Sequence, residues 1–470
     1  MKPNTYISDS FLLESSLAQQ LFHDYAKTLP IIDYHTHLDA ADIYRDQTFK
    51  NLTQAWLNDD HYVWRGMRSV GIDEYYITGQ ASDYDKFKHW CVAMPKLIGS
   101  PLYQWCHLEL KRFFNIDLLL CPQNCHAIWQ ASLDKLQHHA ALSPQKLLIA
   151  NRVNTLCTTD DPSCDLKYHQ LLAKQGFKVN VRPTFRADPL VQVGDQKEFQ
   201  QTLIKLSHTS GIPIHDWMSF KQALNQRIDY FHQHGCRLSD LGLGQITHID
   251  TYHENPCDLF NKIITSKPLS QNEQLQLSAE IFHVLATAYN EKNWTMQLHI
   301  GVMANVNQRR LADIGKGTGF SVMHDSQLIQ GLAQRLDRLD CNKQLPQTIL
   351  YNLNPKDTWP LASLIGAFQD SDSAAGKIQL GPAWWFNDHK RGMIEQMNAL
   401  ANLGSLGQFV GMLTDSRSVF SLSRHEYFRR VLCNLLAQWA QSGDIPNDQA
   451  LLKNTIENIC YHNAKNYFKF

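Results

Sequence analysis

Asp33-Tyr34-His35-Thr36-His37 follows directly on the apolar Leu29-Pro30-Ile31-Ile32. Ile31, Ile32 and the start of the run read as a short buried strand, along which side chains two apart share a face. His35 and His37 therefore leave one strand end side by side, as two ligands of one metal ion must. Imidazole suits zinc and its neighbours, and a site that does chemistry keeps a coordination position open. In a chain with 22 histidines such spacing also arises by chance, so alone it favours a metal only modestly over a hydrogen-bonded pair closing the barrel. Asp415, in Leu413-Thr414-Asp415-Ser416, would complete an N,N,O set. Its own plainer role is to N-cap the next helix.

Other polar residues close apolar runs in the same way. They are Thr159-Asp160-Asp161, Arg186, Asp240, His299, Asn354, Trp384-Trp385 and Arg417. His299 is a further ligand or, as a lone strand-end histidine more often is, a hydrogen-bond partner. Asp240 and Arg186 would equally form a structural ion pair. Trp384-Trp385 packs, or walls a sugar pocket. Gly315-Lys316-Gly317-Thr318-Gly319 lacks the order of a phosphate-binding loop and reads as a flexible loop.

For these residues to converge, the elements beneath them must share one mouth. Apolar, β-rich runs at 30–35, 153–158, 179–185, 237–243, 294–300, 348–353, 377–384 and 409–414 alternate with helical patterns. One such pattern is Leu328, Ile329, Leu332, Leu336 and Leu339. About eight alternations predict an α/β fold, the (β/α)8 TIM barrel, whose chemistry sits at the C-terminal ends of the strands. The first two runs lie too far apart for an ordinary connection. Between them Phe87, Trp90, Cys91, Met94 and Leu97 share a helical face, and 102–114 reads as a further amphipathic helix. Three parts follow: residues 1–39 with the first strand, a mostly helical insertion at 40–150, and the rest of the barrel with C-terminal helices at 151–470. A helix at 424–439 would turn Tyr427, Val431, Leu435 and Trp439 inward.

Composition narrows the function class. Lys+Arg 44 against Asp+Glu 45, without a basic stripe, argues against a nucleic-acid partner. A small anionic substrate needs only one or two arginines. No apolar stretch is long enough to span a bilayer, and residues 1–10 lack a signal-peptide core. Eleven scattered cysteines fit reduced thiols, so a cytoplasmic protein is expected. Cys121-Pro122-Gln123-Asn124-Cys125-His126 has no second Cys/His pair at finger spacing and reads as plain thiols.

Several blocks together resemble the uronate (glucuronate) isomerases, a divergent family of the amidohydrolase superfamily. They are Asp33 to His37, Asp59-Asp60-His61-Tyr62-Val63-Trp64-Arg65-Gly66-Met67-Arg68, His107-Leu108-Glu109-Leu110-Lys111-Arg112, Gln297-Leu298-His299-Ile300-Gly301, Trp384-Trp385-Phe386-Asn387-Asp388, Leu413 to Arg417 and Tyr461-His462-Asn463-Ala464-Lys465-Asn466-Tyr467-Phe468. The match runs in order from near residue 30 to the C-terminus. The resemblance implies a barrel with one divalent ion, usually zinc, and reversible aldose–ketose isomerisation of hexuronates: glucuronate to fructuronate, galacturonate to tagaturonate. It implies His35, His37 and Asp415 as the metal set, and Tyr62 with Asp415 shuttling a proton between C2 and C1. Asp240 would assist ring opening, Arg186 and Arg417 would hold the substrate carboxylate, and His61, His299 and Trp384 would line the pocket. One departure is that Ala304 stands where the family commonly has Arg, with Arg309 and Arg310 only further on.

Isomerisation needs a proton removed beside a carbonyl and an enediolate stabilised, which a metal does as a Lewis acid. A free tyrosine, with a pKa near ~10, is a poor base at neutral pH, so Tyr62 as a base requires nearby cations. Without them it reads as a helix-start residue packed on Trp64. A bidentate guanidinium suits a C6 carboxylate better than lysine does. The competing readings are a mononuclear metal-dependent hydrolase on the same barrel and a non-enzymatic sugar-acid binder. Exposed aromatics in the insertion favour a homo-oligomer.

Overall fold

The computed structural model describes residues 5–138, 140–250, 255–371 and 374–470. Its strands are β1 Ile31–Asp33, β2 Val153–Cys157, β3 Asn180–Arg182, β4 Phe185–Arg186, β5 Leu238–Leu243, β6 Thr295–Ile300, β7 Val302–Met303, β8 Val322–Met323, β9 Thr348–Asn352 and β10 Ile378–Leu380. β1, β2 and β3 pair side by side; β4, β5, β6, β9 and β10 form a second parallel run, and β7 with β8 makes a small antiparallel ribbon. β3 and β4 belong to one predicted run, and a parallel bridge from Asp160 to Phe185 joins the two sheets. β6 and β9 are buried along their whole length, which is why they read as continuous apolar runs rather than alternating ones.

The eighth run, 409–414, forms no ladder strand, and it meets the exit of β1 through side-chain and backbone hydrogen bonds instead. Thr414 donates from its backbone N and its hydroxyl to the two oxygens of buried Asp33, at 3.0 and 2.7 Å. Asp415 N donates to the His35 carbonyl at 3.1 Å, and His37 N donates to the Ser416 carbonyl at 3.0 Å. On the other side Thr36 N donates to the carbonyl of Cys157, the last residue of β2, at 2.9 Å. The exit of β1 is thus clamped between the first neighbour in the barrel and the last.

All regular structure described between residues 40 and 150 is helical. Phe87, Trp90, Cys91 and Met94 are buried there, as the one-face pattern predicts. Arg112 makes a two-pronged pair with Glu426, both contacts 2.7 Å, tying the insertion to the helix Ser423–Ser442. That helix is longer than the sequence pattern suggests and buried on nearly every side, with Trp439 at its partly exposed edge.

Burial pushes the carboxyl of Glu109 up to about 7, against a 2.6 Å hydrogen bond from Trp56 Nε1. The unfolded chain releases that proton near ~4.3, so between roughly 4 and 7 the folded state binds more protons. Stability therefore falls as pH rises through this window and levels off above it. Glu109→Gln keeps an acceptor and removes the titration. Its melting temperature should decline less between about pH 5 and 7 than that of wild type, by thermal melts at matched ionic strength. Asp160 and Asp388 are likewise pushed up to about 7 by burial, so the slope becomes shallower without vanishing.

Candidate active site

A cavity of about 560 Å³ opens at the C-terminal ends of the barrel strands. Its wall includes His35 and His37 past β1, Arg186 ending β4, Asp240 in β5, His299 in β6, Trp384 past β10, and Asp415 and Arg417 past the eighth run. His61 and Tyr62 come from the insertion, at the first turn of the helix His61–Ser69. Asp60 caps that helix, accepting from Tyr62 N at 2.8 Å. The residues that the resemblance assigns to metal, substrate and proton transfer therefore all meet in one place.

Asp415 Oδ1 lies 3.3 Å from His35 Nε2 and 3.0 Å from His37 Nε2, while Oδ2 accepts from Trp384 Nε1 at 2.9 Å. Asp415 does not cap a helix; the next helical turn starts only after Ser418, whose side chain makes no capping bond. Its φ of 45° is a left-handed conformation that Asp tolerates better than most residues, and it accompanies the turn of the carboxylate inward. A tetrahedral ion with bonds of ~2.0–2.1 Å holds its donors ~3.3–3.4 Å apart. Two nitrogens and one carboxylate oxygen at these separations fit one such ion, and the three residues form a group able to hold a metal.

Electrostatics set the states of these groups. Burial lowers His37 to about 4, so its ring is neutral. Burial also opposes charge on His35, but Asp240 and Asp415 outweigh it and raise its value. Burial opposes the charge of Asp415 as well; the adjoining His35 and His37 outweigh it and hold the carboxyl well below the usual range. A cation would compete with protons for this site.

His299 is the hydrogen-bond partner of Asp240: its Nδ1 lies 2.8 Å from Oδ1. The ring stacks 4.3 Å above Tyr351, whose hydroxyl donates to Gln297 at 2.7 Å. Despite burial, His299, His35 and Arg186 keep the Asp240 carboxyl below its ordinary value. Asp240 and His299 could also group around a metal with His35, but Asp240 already faces Arg186, with Nε 3.7 Å from Oδ2. Arg186 is shared with Asp188, 3.2 Å away. Gly242 admits that neighbour, because a Cβ there would stand 2.7 Å from the Asp188 carboxylate. Arg417 is exposed on the cavity wall and has no carboxylate partner among the described residues.

Tyr62 differs from the expectation in two ways. Its ring stacks on His61, at 4.8 Å and 15°, and lies near Trp105 and Trp385 rather than being held by Trp64. Burial, with Asp415 and Asp388, raises its hydroxyl well above the ordinary tyrosine value, against the opposing pull of Arg424. The protein groups around Tyr62 thus favour its phenol form over the phenolate.

Thr159 and three further predicted strand-end residues stay out of the cavity wall. Asp160 accepts from Thr158 Oγ1 at 2.6 Å, Asp161 accepts from Ser163 N at 2.8 Å, and Asn354 accepts from Lys356 N at 3.2 Å. All three satisfy local backbone or hydroxyl groups. Conversely, the loop read as merely flexible lines the cavity through Gly317 and Gly319, beside Ser321 and Ala304. It is fastened to the insertion helix by Arg65, which donates to Ser321 O at 3.0 Å, and by Arg68, which donates to Thr318 O. Arg309 and Arg310 turn to Asp313, so neither replaces a guanidinium at Ala304.

Residues 3–468 match the family model described as glucuronate isomerase. The chain belongs to the glucuronate isomerase family. It is 44% identical to a uronate isomerase of Bacillus pumilus over 465 residues, 99% of this chain and 97% of that protein. A solved uronate isomerase of Thermotoga maritima superposes with a TM-score of 0.92 at 30% identity, covering 98% of this chain and 99% of that one. A glucuronate isomerase of Caulobacter crescentus, 22% identical, shares the fold with a TM-score of 0.89 over 100% of this chain and 96% of that one. Membership in the glucuronate isomerase family extends over nearly the whole length, insertion included, and disfavours the hydrolase reading. Among the described residues, no helix is long and apolar enough to cross a membrane.

Proposed function

We propose that this chain interconverts aldose and ketose hexuronates, glucuronate with fructuronate and galacturonate with tagaturonate, in sugar-acid catabolism. The observation that carries the reading is a carboxylate set between two histidines in a cavity that also presents a free guanidinium and a neutral phenol. Arg417, with Arg186 beside it, holds the C6 carboxylate. Asp240, kept ionised and hydrogen-bonded to His299, assists ring opening.

The chemistry then divides between two groups. Asp415 takes the proton from C2 and returns it to C1, while Tyr62 gives its proton to O1 and takes the one that leaves O2. The C2–H bond breaks, C1=O becomes C1–OH, and C2–OH becomes C2=O, with no net gain or loss of protons. One divalent ion held by His35, His37 and Asp415, zinc by its affinity for imidazole, would supply Lewis-acid stabilisation of negative charge on the substrate. Trp384 and His61 wall the pocket and exclude water. A cytoplasmic homo-oligomer is the corresponding cellular form, which sedimentation of the purified protein would check.

The test is incubation with glucuronate in D₂O, followed by NMR. Ketose formation supports the reading, and no ketose from any hexuronate at any metal loading would reject it. Arg417→Met should lower kcat/KM by about 10²–10³-fold with an unchanged melt, because a carboxylate left without its cation loses about 3–4 kcal/mol. A loss confined within threefold would move carboxylate recognition elsewhere.

A further inference from the structure

Thr159 lies two residues past β2 and is absent from the cavity wall. Its Oγ1 is 2.9 Å from the Thr36 carbonyl oxygen and 2.9 Å from His37 Nδ1. A hydroxyl carries one hydrogen, and a carbonyl oxygen only accepts, so that hydrogen goes to Thr36. The hydroxyl then has only lone pairs to offer His37, so the ring must donate from Nδ1, and a metal-binding imidazole is otherwise unprotonated. The lone pair of that ring is thereby placed on Nε2, the atom 3.0 Å from Asp415 Oδ1. Two acceptors this close in a buried site repel unless a cation lies between them.

The neighbouring histidine has no such constraint. His35 Nδ1 is buried without a hydrogen-bond partner. The two imidazoles therefore differ in what orients them, although each presents Nε2 to the same carboxylate oxygen.

We propose that Thr159 is a positioning residue for the cation site: it fixes His37 in the Nδ1–H form and aims Nε2 as a ready ligand. The inference rests on reading His35, His37 and Asp415 as that site. Partners of this kind, one shell out from a ligand, typically change metal affinity by about 10–100-fold.

Thr159→Val keeps the shape and removes the hydroxyl, and Thr159→Ser restores it. The first readout is the ¹⁵N spectrum of the histidine side chains in metal-stripped protein, with His37 assigned by its loss in His37→Asn. Wild type and the Ser variant should show His37 as the Nδ1–H tautomer. The Val variant should shift toward Nε2–H, where the ring can donate to Asp415. The second readout is zinc affinity by competition with a chromophoric chelator. It should weaken by about 10–100-fold in the Val variant and recover to within about threefold with Ser.

A Val variant with the wild-type tautomer and wild-type zinc affinity would overturn the proposal. If wild type itself takes up no zinc, the cation-site reading fails, while the tautomer shift still decides what Thr159 does. Should the Val variant not fold, Thr159→Ala carries both measurements.

Discussion

Asp415→Asn should lower kcat/KM by at least about 10⁴-fold, roughly 5.5 kcal/mol, and should abolish stoichiometric zinc binding. The side chain has two tasks that an amide cannot perform. An amide does not accept a proton from carbon at neutral pH, and losing a positioned acid/base alone removes about 10²–10⁴-fold. An amide oxygen is also a weak partner for a cation between His35 and His37, 3.3 and 3.0 Å from the native oxygen. The fold should survive. Asn tolerates the positive φ of this position as well as Asp does, and the backbone bond from residue 415 to the His35 carbonyl does not involve the side chain. Steady-state assay with glucuronate, zinc stoichiometry and a melt check the three parts. An Asn variant active to within tenfold of wild type would remove Asp415 from the chemistry.

Where sequence and structure agree, the reason is that the apolar runs are long enough to be buried strands and the polar residues ending them point into one mouth. His35, His37, Arg186, Asp240, His299, Trp384, Asp415 and Arg417 all reach the cavity on that account. The same rule fails at Asp160, Asp161 and Asn354, because strand ends also need residues that satisfy turns and hydroxyls, and periodicity does not separate the two uses. The closing run was legible as an apolar segment, but not its manner of closure. That depends on the Asp33–Thr414 contact between residues remote in the chain. The glycine loop at 315–319 carries no local signal for the cavity. Its place depends on Arg65 and Arg68 of the insertion fastening it down. Thr159 could have been noted only as one more polar strand end, since its value lies in two distances to the β1 exit.

Tyr62→Phe should reduce kcat by about 10²–10⁴-fold with little change in KM and none in the melt, since the stacked ring on His61 is retained. The sequence admits Tyr62 as a base only if cations surround it. In the structure Asp415 and Asp388 add to burial and outweigh Arg424, so the hydroxyl keeps its proton. The sign of the pH profile follows. A phenolate base would make kcat climb through about pH 8–10, toward the ordinary tyrosine value. A phenol held well above that value leaves kcat flat there, with the acid side governed by groups that must lose protons. Substrate carbon provides the decisive check. In the Phe variant Asp415 can still take the C2 proton, so deuterium uptake at C2 should persist in D₂O while ketose formation falls far more steeply. If deuterium uptake and ketose formation instead fall together, Tyr62 acts on carbon as well as oxygen, and a Phe variant with wild-type turnover would take it out of the reaction altogether.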